Sequence, residues 1–353
     1  MNAPIITAVA AWVPAAIPLS RLTEIESAMR AIEDSGWGAW MRSWHPDYGH
    51  WLEAWPDEDP GDSRLRNPDL APPDKTRMVP VETGTDLSGL AAKVAKAICA
   101  RRTQDVRPVN VIMFCHSTPD EDVPTTVAGR LCAEIGPPCF PFSVSQQHGV
   151  SPFTALRLAT DLFVAEPDVH TILIVAAEKW RPPFSRICGS AIVHGDAAGA
   201  LLVERTDHGT GGLRLLDVAA RHVHFDTGRH ASTFHDANTF TLLSMMEFLL
   251  VRHGLHHSKI DDVIGPPGMP SLTAAVSNLL AQPGAGVQSE PCVHFGAADS
   301  IVRLAQWLTR ATCCRTYRLL LWGFGLGGFA GTALLETSGA PLRRQLDVAR
   351  TVS

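Results

Sequence analysis

The sequence predicts an α/β protein built from two similar halves, and three observations carry this prediction. Short, continuously apolar runs rich in Val, Ile and Leu alternate with helical stretches, as in sheets that are covered by helices on both faces. The order strand, helix, strand, helix occurs twice, and each round closes on a glycine-interrupted strand pair, at 190–204 and 317–336. The chain has 353 residues, 45% of them hydrophobic, which is enough for one large two-lobed domain or for two domains.

Hydrophobic periodicity places the elements along the chain. Helices are expected at 85–101, 123–136, 149–166, 236–255, 270–283 and 299–313, with strands at 109–117, 171–178, 190–204 and 317–336. The closing strand pairs read GDAAGALLVE and GGFAGTALLE. Glycine in such a pair allows one backbone to approach another, or a ligand, because no Cβ intervenes.

Charge and hydropathy exclude two classes of partner. Thirty Lys and Arg against 36 Asp and Glu give a net charge of −6, and no basic run is present, so we expect neither a nucleic-acid nor an anionic-membrane surface. The sequence contains no apolar run of about 18 residues and begins without a charged leader, so we expect no membrane span, no secretory signal and a cytoplasmic location.

Eight cysteines occur without a CxxC pair, mostly inside apolar runs: Cys99, Cys115, Cys132, Cys139, Cys188, Cys292, Cys313 and Cys314. This pattern favours buried free thiols over disulfides or metal ligands, in keeping with a reducing compartment.

Residues 36–75 form a loop-like insertion with neither helical nor strand periodicity. Five tryptophans crowd into it: Trp37, Trp40, Trp44, Trp51 and Trp55. Because five indoles are too much apolar surface to leave in water, the segment is expected to pack on its own domain, to cap a pocket or to meet a partner chain.

Several segments, in order, resemble one family. The run HGDAAGALLVE (194–204) resembles the FGDGAGA strand of the β-ketoacyl-ACP synthase III group of the thiolase superfamily, and GFGLGGFAGTALL (323–335) resembles its C-terminal strand pair. Residues 109–136, 142–163 and 171–180 fit the strands and helices around that family's nucleophile. The resemblance implies a thiolase fold: two duplicated βαβαβ halves, here 1–208 and 209–353, with stacked mixed sheets and buried central helices in five layers, αβαβα.

The family's Cys-His-Asn triad is missing. Its cysteine, which begins a buried helix, falls at His148 or, counted from the helix, at Gly149. The family's histidine falls at Pro266 or Pro267, and its asparagine at Ala297. Proline and alanine side chains can neither donate a hydrogen bond nor move a proton, so decarboxylative condensation by the family's usual route is not expected.

Four candidate residues remain for catalysis. His148, at a helix start that favours a neutral imidazole, is expected to act as a general base or acyl acceptor, or else only to fill the space of the lost cysteine. Ser145 and Ser151 are candidate nucleophiles, although capping the helix is the simpler role for Ser151. Asp299 is expected to cap the next helix, with a catalytic carboxylate as the alternative.

Backbone donors and amides complete the predicted cleft. The N–H groups near Gly149 and Gly325 are expected to hold a developing oxyanion. Gln147 and its neighbour Gln146 are expected to hydrogen-bond to the ligand or across a subunit interface. Pro267 and Ala297 would line the same cleft.

No metal or cofactor is expected. His222 and His224, with His230 or His235, could form a zinc set, but their spacing is non-specific and no cysteine accompanies them. Asp196, within GDAAGA, is read as a structural residue that forms a turn, and His116 as a packing residue.

The resemblance implies a divergent acyltransferase. It would move an acyl group from a coenzyme A or carrier-protein thioester to an amine or hydroxyl acceptor in a biosynthetic pathway of the fatty-acid, polyketide or secondary-metabolite type. The alternative is a catalytically silent subunit that pairs with an active paralogue. A dimer, of identical or of different chains, is expected in either case.

Overall fold

The computed structural model describes residues 3–22, 76–100, 108–120, 125–136, 139–181, 186–188, 192–205, 211–222, 231–266, 270–280, 293–311, 315–325, 328–337 and 343–348. The tryptophan-rich segment 36–75 and Pro267 lie outside the described residues. Among the residues described, no helix combines the length and the apolar character that crossing a membrane requires.

The predicted helices are present, with ends that shift by a few residues. They are α1 (Leu87–Cys99), α2 (Val127–Ile135), α3 (Ser151–Ala165), α4 (Ala231–Arg252), α5 (Pro270–Leu279) and α6 (Asp299–Arg310). Side-chain caps begin the first two helices: Asp86 accepts from the Gly89 N–H, and Thr126 accepts from the Gly129 N–H.

The strands include those predicted and several shorter ones. They are β1 (Ile5–Val13), β2 (Ala16–Pro18), β3 (Met78–Pro80), β4 (Val111–His116), β5 (Phe140–Ser145), β6 (Thr171–Glu178), β7 (Ile187–Cys188), β8 (Ile192–His194), β9 (Ala197–Glu204), β10 (Leu213–His222), β11 (Asp262–Ile264), β12 (Val293–His294), β13 (Arg318–Gly325), β14 (Phe329–Thr337) and β15 (Arg343–Val348).

The sheet topology repeats in the two halves. In the first half the order is β1-β9-β6-β4-β5, with antiparallel pairing up to β6 and parallel pairing from β6 to β5. In the second half the order is β10-β14-β13-β11, again antiparallel up to β13 and then parallel. Each half therefore pairs its first strand with its closing strand, which confirms the predicted duplication. The division at residues 208 and 209 stays a prediction.

The two half-sheets join through the start of β1, where Ile5 pairs with Arg214 and Ile6 with Leu213. β15 adds a parallel strand beside β1.

Helices α3 and α6 form the middle layer. The core cluster that contains Phe153 of α3 and Ile301 of α6 also contains Ile174 of the first half-sheet and Leu335 of the second. Helices α1 and α2 cover the outer face of the first half-sheet, and α4 and α5 cover the outer face of the second. The order of layers is therefore α1/α2, sheet, α3/α6, sheet, α4/α5, which is the predicted five-layer arrangement.

A small second sheet links the halves beside the middle layer. β8, from the first half, pairs antiparallel with β7 and parallel with β12 from the second half. In this pairing His194 lies directly opposite His294. Two histidines that are 100 positions apart in the sequence thus become cross-strand neighbours.

The prediction of free thiols is wrong for two cysteines. Cys132, near the end of α2, forms a disulfide with Cys139, just before β5. Their Cα atoms are 6.1 Å apart, within the range that a disulfide can bridge, because the chain doubles back between helix and strand. Cys115 is a buried free thiol, and burial raises its pKa. Cys292, Cys313 and Cys314 lie outside the described residues.

Candidate active site

The turn between β5 and α3 carries His148. A 3-10 turn, His148–Val150, leads directly into α3, with Pro152 near the helix start as predicted. Gln146 and His148 adopt left-handed φ values of 65° and 50°, which are uncommon for residues other than glycine. Such a conformation persists only where the surroundings hold it, and here it accompanies an imidazole that is only 7% exposed.

Backbone approaches backbone where this turn meets β13. A Cβ on Gly149 would stand 2.7 Å from the Phe324 carbonyl oxygen, and a Cβ on Gly325 would stand 2.5 Å from the Gln147 carbonyl oxygen. A Cβ on Gly323 would stand 2.5 Å from the Gly149 carbonyl oxygen. Backbone therefore packs directly on backbone at these three glycines. This contact also means that position 149 has no room for a side chain, so position 148 presents the side chain at this turn.

Three buried histidines meet at the turn. His148 Nε2 lies 3.1 Å from His194 Nε2, and the His148 ring stacks on the His294 ring at a centroid distance of 4.7 Å. The Trp180 ring stacks on the His194 ring at 3.9 Å and 19° and meets the His148 ring edge-on at 5.9 Å. The structure thus supplies the predicted His148 with two imidazole neighbours and an indole.

Hydrogen bonds assign the protons on these rings. The Gly296 N–H donates to His294 Nδ1 at 2.8 Å, so neutral His294 carries its proton on Nε2. His148 Nδ1 lies 3.5 Å from the Phe324 carbonyl oxygen, which can only accept, so this long contact places the His148 proton on Nδ1. His148 Nε2 is then an acceptor, and His194 Nε2–H donates to it.

Burial keeps the three imidazoles neutral. Burial lowers the pKa of His148 to about 4, partly opposed by the Phe324 carbonyl and the Asp299 carboxyl. Burial also lowers the pKa values of His194 and His294 well below the usual range, and the neighbouring histidines lower them further. Each ring therefore offers one N–H and one lone pair at neutral pH.

The arrangement of the same three histidines does not suit a metal ion. The three histidines offer ligand atoms within 4.8 Å of one another, and neutral imidazoles are good zinc ligands. However, His294 Nδ1 is occupied by the Gly296 N–H, and the planes of the His148 and His294 rings differ by only 26°. Lone pairs of stacked rings do not converge on one ion. The geometry fits a hydrogen-bonded imidazole cluster rather than a cation site.

The other histidine set considered for a metal is not brought together in the described part of the chain. His222 lies exposed against Phe329, at a ring distance of 4.6 Å. His224 and His230 lie outside the described residues.

A buried ion pair fixes the strand that carries His194. Arg186 Nη1 donates to Asp196 Oδ1 at 2.7 Å, and the Arg186 carbonyl accepts the His194 N–H at 2.7 Å. Asp196 also accepts the backbone N–H groups of Trp180 and Glu82, each at 2.8 Å. The predicted structural role of Asp196 is confirmed, and the pair orients both Trp180 and His194.

Glu178 joins the end of β6 to the loop that carries Ala297. Its carboxyl accepts from Thr118 N–H at 2.9 Å, from Thr118 Oγ1 at 2.8 Å and from Ala297 N–H at 3.1 Å. Burial raises the pKa of Glu178 to about 7, against these hydrogen bonds. The Ala297 N–H is therefore engaged, and its methyl group supplies no donor.

The predicted cap at Asp299 is wrong. Asp299 is the first residue of α6, and its Oδ1 accepts the Phe295 N–H at 3.1 Å, while Arg303 Nη2 lies 3.6 Å away. The preceding Ala298 is already helical, because the 3-10 turn Gly296–Ala298 runs straight into the helix. The side chain therefore reaches back to the loop, and burial raises its pKa.

The predicted cap at Ser151 is wrong for a similar reason. Ser151 is the first residue of α3, the residue before it, Val150, is already helical, and no side chain caps this helix. The buried Ser151 Oγ has no hydrogen-bonding partner in the described part of the protein.

Ser145 is half-buried at the end of β5, opposite His116 of β4. Gln147 Oε1 accepts from Thr154 Oγ1 at 2.5 Å, within the chain itself.

A groove of about 1010 Å³ lies elsewhere, between α3, β10 and α4. Its lining includes Arg157, Phe163, Arg221, Phe240 and Phe248. None of the predicted site residues and none of the three clustered histidines lines it.

Sequence reasoning missed His194, His294 and Trp180. The signal that could have found the two histidines is their equivalent position, each just before a glycine and small-residue run, in HGDAAGA and HFGAADS. Their pairing depends on strands of three and two residues, which periodicity does not detect.

Part of the chain is similar in sequence to a known enzyme. No protein-family model matches the chain. It is 31% identical over 156 residues to the β-ketoacyl-[acyl-carrier-protein] synthase III of Rhodospirillum rubrum, a match that covers 42% of this chain and 45% of that protein. The match therefore spans less than half the length of this relative.

Solved structures share the fold over nearly the whole chain. The 3-oxoacyl-(acyl carrier protein) synthase III of Pseudomonas aeruginosa PAO1 superposes with a TM-score of 0.63 at 17% identity, covering 99% of this chain and 100% of that one. The chain therefore shares the fold of these synthases and resembles synthase III in sequence over part of its length. The acyltransferase ChlB3 gives a TM-score of 0.67 at 18% identity over 95% of this chain and 98% of its own. A variant of OleA from Xanthomonas campestris gives 0.64 at 13% identity, covering 95% and 98%.

Proposed function

We propose that the protein is a biosynthetic acyltransferase that moves an acyl group from a coenzyme A or carrier-protein thioester to an amine or hydroxyl acceptor, without decarboxylative condensation. One observation carries the proposal: a buried, neutral imidazole, His148, occupies the turn where the resembling synthases place a cysteine, and it is hydrogen-bonded to His194. Such a pair can take up and return one proton.

The proposed step is direct transfer. The acceptor oxygen or nitrogen attacks the thioester carbonyl carbon, the new bond forms, and the carbon–sulfur bond breaks. The imidazole pair of His148 and His194 takes the acceptor's proton and returns it to the departing thiolate. No acyl-enzyme is formed, and no added oxidant, reductant or metal is needed to balance the step.

The backbone at this turn supports an oxyanion role for Gly149 and Gly325. Both residues lie where the turn packs on β13, and neither can carry a side chain without a clash. Backbone N–H groups held this rigidly can stabilise a developing oxyanion without reorganising. Gln147 and Ala297 contribute to positioning through the contacts described above.

The names of the similar proteins support the substrate class. One is a β-ketoacyl-[acyl-carrier-protein] synthase III and another an acyltransferase, and for this chain both point to an acyl thioester as donor. The Ser145 hydroxyl and the Asp299 carboxyl are retained as secondary catalytic candidates.

The test is intact mass after incubation with acyl-coenzyme A of two, four and eight carbons, together with transfer to 1-butanol and butylamine. We expect a transferred acyl product and no stable adduct on the protein. The variant His148→Asn should lose transfer by about a hundredfold or more, whereas His257→Asn, outside the cluster, should not. A stable acyl adduct on serine or cysteine would refute direct transfer.

A second candidate is a silent subunit that shapes the pocket of an active paralogue. The burial of His148 favours this candidate, because the imidazole is only 7% exposed and the Trp180 ring packs against it. Co-expression with a cysteine-bearing synthase III from a neighbouring gene tests this. Absence of a mixed complex on size-exclusion chromatography, combined with transfer by the isolated chain, would remove this candidate.

We also propose that the protein is a dimer. β5 is the last strand on its side of the described sheet, and Phe140 on it is 68% exposed. An edge strand with an exposed aromatic side chain is suited to pairing with another chain.

A further inference from the structure

Two buried nitrogens on stacked rings have no hydrogen-bonding partner among the described residues. One is the Trp180 Nε1–H, a donor, and the other is His194 Nδ1. The proton assignment above makes His194 Nδ1 an acceptor, because His194 uses its own proton on Nε2 toward His148. Buried polar atoms in native proteins are rarely left without a partner, so the pair marks a place for one further polar group.

The two rings are in direct contact, with centroids 3.9 Å apart and planes that differ by 19°. Rings stacked in this way can present their edges to the same small polar group, at hydrogen bonds of about 3 Å. One group that accepts from Trp180 and donates to His194 would satisfy both nitrogens.

The chemistry of the surroundings selects that group. A hydroxyl accepts through oxygen and donates one hydrogen, so it fits both atoms. An ammonium cannot accept from the indole, and a cation would be buried near three imidazoles and the Arg186 guanidinium. A carboxylate cannot donate to His194 Nδ1.

We propose that Trp180 and His194 form the binding site for the hydroxyl group of the acyl acceptor, and that His194 Nδ1 is the atom that receives its proton. This inference rests on the proposed function and narrows its acceptor class to an alcohol. The hydroxyl oxygen bonds to the thioester carbon, the carbon–sulfur bond breaks, and the proton passes to His194 Nδ1 and then to the thiolate.

His148 becomes a positioning residue in this arrangement. It accepts the His194 Nε2–H, which orients the ring and stabilises the imidazolium when Nδ1 is protonated. The Trp180 face, stacked on the same ring, also favours the cationic form.

The decisive variant is Trp180→Phe, which keeps an aromatic ring on His194 but removes the N–H. Its matched control is Trp307→Phe, which also loses an indole N–H, there donated to Asp262, away from the cluster. With acyl-coenzyme A as donor and 1-butanol as acceptor, we expect Trp180→Phe to raise the KM for 1-butanol about tenfold. The KM for the thioester should not change, and Trp307→Phe should leave both values unchanged.

Binding is measured separately from transfer. Tryptophan fluorescence is followed as 1-butanol or butylamine is added without thioester, in the wild-type protein and in both variants, after circular dichroism has confirmed folding. We expect a response to 1-butanol that Trp180→Phe abolishes and Trp307→Phe retains. If this response occurs but no acyl transfer is detected, the hydroxyl site stands and the proposed function fails.

Two results would overturn the inference. One is an equal response to butylamine, or transfer that prefers butylamine and is unaffected by Trp180→Phe. The other is a folded Trp180→Phe protein with unchanged 1-butanol binding and unchanged KM, which would mean that the two nitrogens only hold a resident water molecule.

Discussion

At the residue scale, His148 combines a left-handed backbone with a neutral side chain. Both properties come from its surroundings: the turn packs on β13, and burial lowers the pKa of the imidazole to about 4. Because the unfolded chain has the ordinary pKa of about 6.5, the unfolded state binds a proton first as pH falls.

Acidification should therefore destabilise the protein through this residue. The effect of His148 is to lower the free energy of unfolding as pH falls from about 6.5 to about 4, by at most about 3 kcal/mol. Above about pH 6.5 this destabilising effect is absent. His148→Asn, which tolerates a left-handed φ, should show a weaker decline. Urea unfolding at pH 7.5, 6 and 5 measures this, with His257→Asn as control. Equal declines in wild type and His148→Asn would contradict the prediction.

Glu178 has the opposite dependence. Its folded pKa of about 7 lies above the usual carboxyl value, so its contribution to stability falls as pH rises from about 4.5 to 7. The comparison of His148→Asn with wild type removes this shared effect, because both proteins contain Glu178.

At the element scale, the contact between the His148 turn and β13 depends on glycine. Gly323→Ala would place a methyl carbon 2.5 Å from the Gly149 carbonyl oxygen and equally close to the Phe153 ring. We expect a loss of about 2–4 kcal/mol in the free energy of unfolding, together with loss of transfer, because the turn must move.

Gly84→Ala is the matched control for this glycine. Its added carbon would meet only the end of the Glu82 side chain, at 3.3 Å, and no backbone atom within 4 Å. Chemical denaturation of both variants measures the difference. A Gly323→Ala protein as stable as Gly84→Ala would show that the close backbone contact is unimportant.

The elements also show what sequence could predict. The helices around Leu90, Phe153 and Ile301 were predicted because their apolar residues recur with helical period and pack on a sheet. The caps predicted at Ser151 and Asp299 are wrong, because each residue follows a 3-10 turn that is already helical. The preference of a residue for the cap position does not show whether the residue before it is already helical.

At the scale of the whole molecule, the sequence predicted the duplicated halves and one of the three clustered histidines. His148 could be predicted because the strand before it and the helix after it resemble the corresponding segments of a known family. His194 and His294 become neighbours only when β8 and β12 pair across the halves. No local pattern encodes a contact across 100 residues. The disulfide was missed although its two cysteines are only 7 residues apart, because no CxxC spacing marked the pair.

Assembly is the prediction that belongs to this scale. If β5 pairs with a second chain, Phe140→Lys should weaken the dimer by introducing a charge at the interface. Size-exclusion chromatography with light scattering should give a lower mass for this variant at micromolar concentration. Val164→Lys, at another exposed apolar residue, 56% exposed on α3, is the control. A wild-type monomer would refute the dimer directly.

The parallel pairing of His194 with His294 has a kinetic consequence. Neither half can assemble the imidazole cluster alone, since β8 comes from one and β12 from the other. During refolding, Trp180 should acquire its native emission only after the lobes have docked, later than the bulk of the helical signal. Trp180 emission should therefore report the last stage of folding.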